Sequence, residues 1–118
     1  MRCFYRHRAH EDPFFLPGLQ DLTASVDFTA LAEAGVNAGF DFAGYCAQSS
    51  FLLANGLSAR LLEIAGIEDE ATRYKANQAV KRLTLPGEMG ERFRVLALAR
   101  DYDRPLTGFA LRDLTRTL

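Results

Sequence analysis

Several features are missing from this chain, and each absence removes a class of function. No apolar run approaches the roughly 18 to 20 residues a membrane-spanning helix requires, and none follows Met1 as a secretory leader would. The expected location is therefore the cytoplasm. Only two cysteines are present, Cys3 and Cys46. They are too few and too far apart for a zinc ribbon or a redox CxxC motif, and reduced packing residues are expected. Neither charge sign is in excess: 14 Lys and Arg stand against 15 Asp and Glu, for a net charge of −1. Recognition of a phosphate backbone needs a basic surplus on one face, so a nucleic-acid partner is not expected. There is no GxGxxG or Walker loop, no GxSxG elbow and no pair of zinc-ligand motifs.

What remains is ordinary in composition. With 48% hydrophobic and 25% charged residues over 118 positions, the chain reads as one soluble globular domain at most. A complete domain of this size would bury about two-thirds of its unfolded surface.

Patterning along the chain alternates short strands with helices. Residues 2–8 place Phe4 and Tyr5 in a basic frame of Arg2, Arg6 and Arg8 and predict a short strand. The same cluster could form a small nucleic-acid patch, but a strand with one solvated side accounts for it. Its start one residue after Met1, with no leading turn, suggests a start inside a larger protein. Residues 9–20 hold Pro13, Pro17 and Gly18 among Phe14 and Phe15, an ordered loop. Asp27 is a good N-cap for a helix over 28–38 whose Phe28, Leu31, Ala32 and Gly35 share one face, with Gly39 as its stop. Residues 40–45 read as a strand. Ser49 or Ser50 can cap a short helix ending near Gly56, and Ser58 another stopped by Gly66. A longer helix over 69–83 gathers Ala76, Ala79, Val80 and Leu83 on one side and spaces Asp69 and Arg73 as an i, i+4 pair. The Pro86-Gly87 turn leads into a strand over 92–99, whose apolar Val95–Ala99 core suits the interior of a sheet. Residues 101–105 form a turn and 109–118 a terminal helix. The count is about three strands and four or five helices, an α/β arrangement.

Ionisable groups concentrate in three places. His7, His10 and Asp12 could ligate a metal, although the spacing fits no established pattern and a structural or substrate-positioning role accounts for them better. Either histidine could also act as a general base. Asp21 and Thr23 can stabilise the turn before Asp27, or Asp21 can project into a cleft and orient a guanidinium. Glu88 sits in a loop between helix and strand, where site residues are common, although an exposed loop charge accounts for it better.

The order and spacing of certain residues carry more information than any one of them. Arg2-Cys3-Phe4-Tyr5-Arg6-His7-Arg8, His10, Asp12-Pro13, Gly18, Gln20-Asp21, Thr23-Ala24, Val26-Asp27-Phe28, Gln48, Phe51-Leu52 and Leu85-Pro86-Gly87-Glu88-Met89-Gly90-Glu91-Arg92-Phe93 together resemble the C-terminal portion of the MidA-like family of S-adenosylmethionine-dependent methyltransferases. Two positions depart from it: Ser25 where histidine is common, and Ala47 where threonine is usual. The resemblance implies the C-terminal part of a class I, Rossmann-like methyltransferase fold, with an antiparallel last strand pair and a helical insertion between its two strands. By that likeness residues 40–45 are the sixth strand and 92–99 the seventh. The donor loop would lie in an N-terminal half not represented in these residues, so S-adenosylmethionine is expected as cofactor of the parent enzyme only. The implied reaction transfers a methyl group to a nitrogen, with arginine of a protein as acceptor by analogy with a mitochondrial relative that assists respiratory complex I assembly. His7, His10, Asp21, Gln48 and Glu88 are then the substrate-side candidates. The implied partners are the missing half, a protein substrate and, through an open sheet edge, a second copy. A non-enzymatic interaction module using that same edge is the competing expectation.

Overall fold

The computed structural model describes residues 2–117. Two small antiparallel sheets organise it. In the first, β1 (Arg2–Tyr5) lies between β2 (Arg8–His10) and β3 (Asp21–Thr23). The single strand expected over 2–8 is thus a hairpin, because Arg6 and His7 both adopt positive φ (47° and 65°) and reverse the chain in two residues. Residues 21–23 are a strand and not only a turn, since they pair with β1 in the register Phe4–Asp21.

The second sheet joins β4 (Asp41–Ala47) to β5 (Arg94–Ala99). The expected antiparallel pairing of these segments is present, from Asp41 opposite Ala99 to Ala47 opposite Arg94, with a bulge between Phe42 and Gly44. Ahead of β4, α1 (Phe28–Asn37) starts at Asp27, whose carboxylate accepts the Ala30 N–H at 3.0 Å, and ends before Gly39 at φ 84°. It rests on the second sheet through Phe28, whose ring centroid is 5.2 Å from that of Tyr45, and through Gly35 against Leu98.

Between the paired strands lie α2 (Gln48–Ala54), α3 (Leu57–Ala65), α4 (Glu70–Thr84) and α5 (Met89–Arg92). Neither expected serine cap forms. β4 runs directly into α2, and the Gln48 N–H is satisfied by the Phe93 carbonyl at 3.0 Å, so no side-chain cap is needed. Gly56, at φ 91°, turns the chain into α3 ahead of Ser58. Asp69 caps α4 through the Thr72 N–H at 2.7 Å, and Arg73 donates instead to the Ile67 carbonyl at 2.9 Å, so the expected Asp69–Arg73 pair is absent. Along α4 the part-buried side runs through Arg73, Ala76, Val80 and Thr84, while Ala79 and Leu83 are exposed. Residue 92 belongs to α5 and not to the strand, which starts at Arg94.

The expected terminal helix is replaced by two single 3-10 turns, Thr107–Phe109 and Thr115–Thr117. Phe109 is held by edge contact with Phe51 at 5.5 Å and by the bare backbone of Gly44, and the Leu114 N–H donates to the Tyr45 carbonyl at 2.7 Å. These tertiary anchors prevent a continuous helix. Leu118 lies outside the described residues.

The molecule is spread out. Its radius of gyration is 18.3 Å, against about 13.5 Å for a compact chain of this length. Its accessible surface is 9113 Å², against about 6,400 Å² for a compact monomer of this mass. Phe14, Leu19 and Leu62 are 83%, 69% and 76% exposed. Every residue of β5 is only half-buried, where an apolar sheet-interior strand was expected to be covered.

Gly90, within α5, packs against the end of α4, where a Cβ would collide with the Thr84 carbonyl, whereas Gly87 has open space around it. Gly90→Ala is expected to lower stability by about 1–3 kcal/mol, and Gly87→Ala to stay within about 0.5 kcal/mol, in urea unfolding. Equal effects at the two positions would contradict the packing described.

Candidate functional site

Strand geometry decides which side chains of the first sheet can meet. Directly opposed residues share a face, and successive residues alternate. Cys3, Tyr5, Arg8, His10 and Leu22 therefore occupy one face, and Arg2, Phe4, Ala9, Asp21 and Thr23 the other. His10 and Asp21 stand on opposite faces and do not converge.

The His10 face is roofed by the 11–20 loop. Asp12 accepts the Phe14 N–H at 2.9 Å, and the Gln20 side-chain nitrogen donates to the Pro13 carbonyl at 2.8 Å, closing the loop on itself. That closure sets Phe15 edge-on against both Tyr5 (5.9 Å) and His10 (5.2 Å) and leaves Cys3 fully buried. A cleft of about 850 Å³ results, lined by Tyr5, Arg6, Arg8, Ala9, His10, Asp12 and Phe15. His10 Nε2 and Gln20 Oε1 are buried without a hydrogen-bond partner. Arg6 stacks over Tyr5, 5.4 Å from the ring centroid. His7, at the turn, is exposed and does not line the cleft. Among the described residues, no group of three or more His, Cys, Asp and Glu side chains is placed to hold a metal ion.

The opposite face is open. Phe4 sits at its centre between Ala9 and Asp21, all exposed. An aromatic ring beside a free carboxylate is a suitable surface for a guanidinium, which stacks on rings and pairs with carboxylates.

Gln48 and Glu88 fall in a different place, the junction of α2, α4 and α5. The Gln48 side-chain nitrogen donates to the Leu83 carbonyl at 2.9 Å, holding the end of α4 to the start of α2. Glu88 is exposed, and its N–H donates to the Leu85 carbonyl at 3.1 Å, closing the Pro86-Gly87 turn. None of β1–β3 packs closely against α2, α4 or α5. Cys46 lies in the second sheet, where burial and, secondly, the Asp113 carboxylate push its thiol up, so it stays protonated and unreactive. The sequence pointed to His10 but not to Arg8, Tyr5 and Phe15 as its neighbours. The hidden signal was the turn: Arg6-His7 stands where Asn-Gly is the usual two-residue solution.

Comparison with known proteins follows the same lines. Residues 1–46 match the model of a family described as "Putative S-adenosyl-L-methionine-dependent methyltransferase". The chain is 36% identical over 101 residues to the mitochondrial protein arginine methyltransferase NDUFAF7 of Rattus norvegicus, covering 83% of this chain and 22% of that protein. Against the Drosophila melanogaster homolog it is 33% identical over 116 residues, covering 92% of this chain and 26% of the relative. The chain thus spans about a quarter of the length of these curated relatives. Two crystal structures of COG1565 superfamily proteins from Burkholderia thailandensis superpose on 99% of it. One, bound to S-adenosyl-homocysteine, has a TM-score of 0.85 at 47% identity over 30% of its own chain. The other has a TM-score of 0.88 at 48% identity over 31%.

Backbone strain at the turn gives a test of what Arg6 and His7 are for. Non-glycine residues at positive φ cost about 1 kcal/mol or more each and persist where something other than stability retains them. The double substitution Arg6→Asn, His7→Gly is expected to raise stability by about 1 kcal/mol or more in urea unfolding. No gain would mean that the hairpin is relaxed as it stands. Solved relatives at 47% and 48% identity follow its backbone almost end to end and the family model matches its first sheet and α1, so the chain is similar over its length to one part of the MidA-like S-adenosylmethionine-dependent methyltransferases.

Proposed function

We propose that these residues form the acceptor side of a protein arginine methyltransferase whose donor site is built by another portion of the enzyme. The residues described do not fit the donor themselves. They contain no glycine-rich loop to cradle it, and the cleft under the 11–20 loop presents Arg6 and Arg8, which would repel a sulfonium cation. Two features support a second portion: the half-buried β5 with its unpaired outer edge, and the large exposed apolar surface. In this reading β5 pairs on that edge with a strand of the donor-binding portion, and β4 closes the sheet.

The observation that carries the acceptor assignment is the open face with Phe4 beside Asp21. A substrate arginine would stack on the Phe4 ring and donate its N–H groups to the Asp21 carboxylate, which fixes the plane of the guanidinium and offsets its charge. Alignment of this kind is most of what methyl transfer requires from a protein. Glu88, at an exposed turn, Gln48, tied to Leu83, and His7, exposed at the hairpin tip, stay in reserve as substrate-side groups. The NDUFAF7 relatives are named as protein arginine methyltransferases, which supports arginine as the acceptor. The interaction-module reading shares the β5 edge but demands no chemistry at Asp21.

The test uses the full enzyme containing this segment, assayed by mass spectrometry for methylation of arginine and lysine peptides. Arginine methylation is expected, and Asp21→Asn is expected to reduce kcat/KM at least about tenfold, the loss of one charge-assisted hydrogen bond or more. Methylation of lysine in preference to arginine would overturn the acceptor. An unchanged rate in Asp21→Asn would remove Asp21 from the site.

A further inference from the structure

The cleft on the other face of the first sheet is not explained by acceptor binding. Its lining includes all three residues of one strand, Arg8, Ala9 and His10 of β2, so the cleft lies along that strand. β2 is the outer strand of the sheet, in the order β2-β1-β3, so among the described residues its outer edge carries unpaired backbone N–H and C=O groups.

The side chains at this edge lack something acidic. Arg6 and Arg8 face one carboxylate, Asp12, and one oxygen of that carboxylate is already occupied by the Phe14 N–H. Among the described residues Arg8 makes no ion pair. His10 Nε2 is buried with no partner, a costly state that a bound oxygen would relieve. Tyr5 and Phe15 supply apolar walls, which suit the methylene stem of an acidic side chain better than a bare, strongly hydrated anion.

We propose that the β2 edge is a docking site for an extended acidic protein segment, which adds as a strand beside β2 and places a glutamate or aspartate carboxylate in the cleft against Arg8 and His10 Nε2. Backbone pairing would supply the general affinity and the carboxylate the selectivity, as in other strand-addition interfaces. The Arg8 guanidinium suits a carboxylate through its two-pronged geometry. This inference stands independently of the acceptor reading, which concerns the opposite face.

The experiment titrates the isotope-labelled full enzyme containing this segment with an eight-residue β-prone peptide carrying one central glutamate, with the same peptide carrying glutamine, and with inorganic phosphate. Saturable shifts of the His10 ring nitrogens and of the β2 amides are expected with the glutamate peptide. The glutamine peptide should bind at least about tenfold more weakly. Arg8→Gln should abolish the difference between the two peptides, and Arg8→Lys should restore part of it. Should Arg8→Gln fail to fold, the two-peptide comparison on the unaltered chain decides alone. Equal binding of the two peptides, displacement of the glutamate peptide by millimolar phosphate, or no movement of His10 would each overturn the proposal.

Discussion

The ladder between β4 and β5 is the interaction on which the rest depends. It closes a loop of four helices, since α2 to α5 all lie between the two strands. It also supports α1 through Tyr45 and Leu98, and the C-terminal segment through Gly44 and Tyr45. Glycines are placed where elements press closest: Gly35 under Leu98, Gly44 under Phe109, Gly108 under Phe51. A two-stranded ribbon is marginal in water by itself. Here it is sheathed by α1 on the way in and by the 3-10 turns on the way out, yet its strand β5 stays half-exposed.

That incompleteness unites the dimensions of the molecule with its functional reading. An expanded radius and a surface well above that of a compact monomer mean that hydrophobic burial within the chain is limited. Under the proposed function the same surface would become interface with the rest of the enzyme. On the proposed readings the sheet of residues 2–23 would act as a two-sided platform, with the Phe4–Asp21 face turned to one ligand chemistry and the Arg8–His10 cleft to the opposite one. Charge separation across a single sheet is cheap to build, because the period of two along each strand sends neighbouring residues to opposite sides.

Much of the fold was legible in the sequence where local chemistry decides it. Asp27 and Asp69 were readable as caps or helix starts because a short carboxylate before an apolar face has few other uses, and Gly39 and Gly66 as stops. The antiparallel β4–β5 pair came from family resemblance, not from pattern. What stayed hidden was decided by tertiary contact. Gln48 begins α2 because Phe93, distant in sequence, satisfies its N–H. Residues 109–117 are not a helix because Phe109 and Leu114 are tied to the second sheet. At the candidate site, His10 and Asp21 were both singled out, but their opposition across the sheet could not be foreseen without the Arg6-His7 reversal that sets the register. Gln48 carried the family signal and proved to bridge helices.

The central claim is that β5 is completed by a strand from a donor-binding portion of the same enzyme. Amide hydrogen exchange, compared between the 118-residue chain alone and the full enzyme, tests it most directly. Amides along β5 alternate in direction, so those already bonded to β4 should change little. Those facing the outer edge are expected to exchange readily in the isolated chain and to be protected at least about a hundredfold in the full enzyme. Unchanged exchange along the whole of β5 would contradict the account.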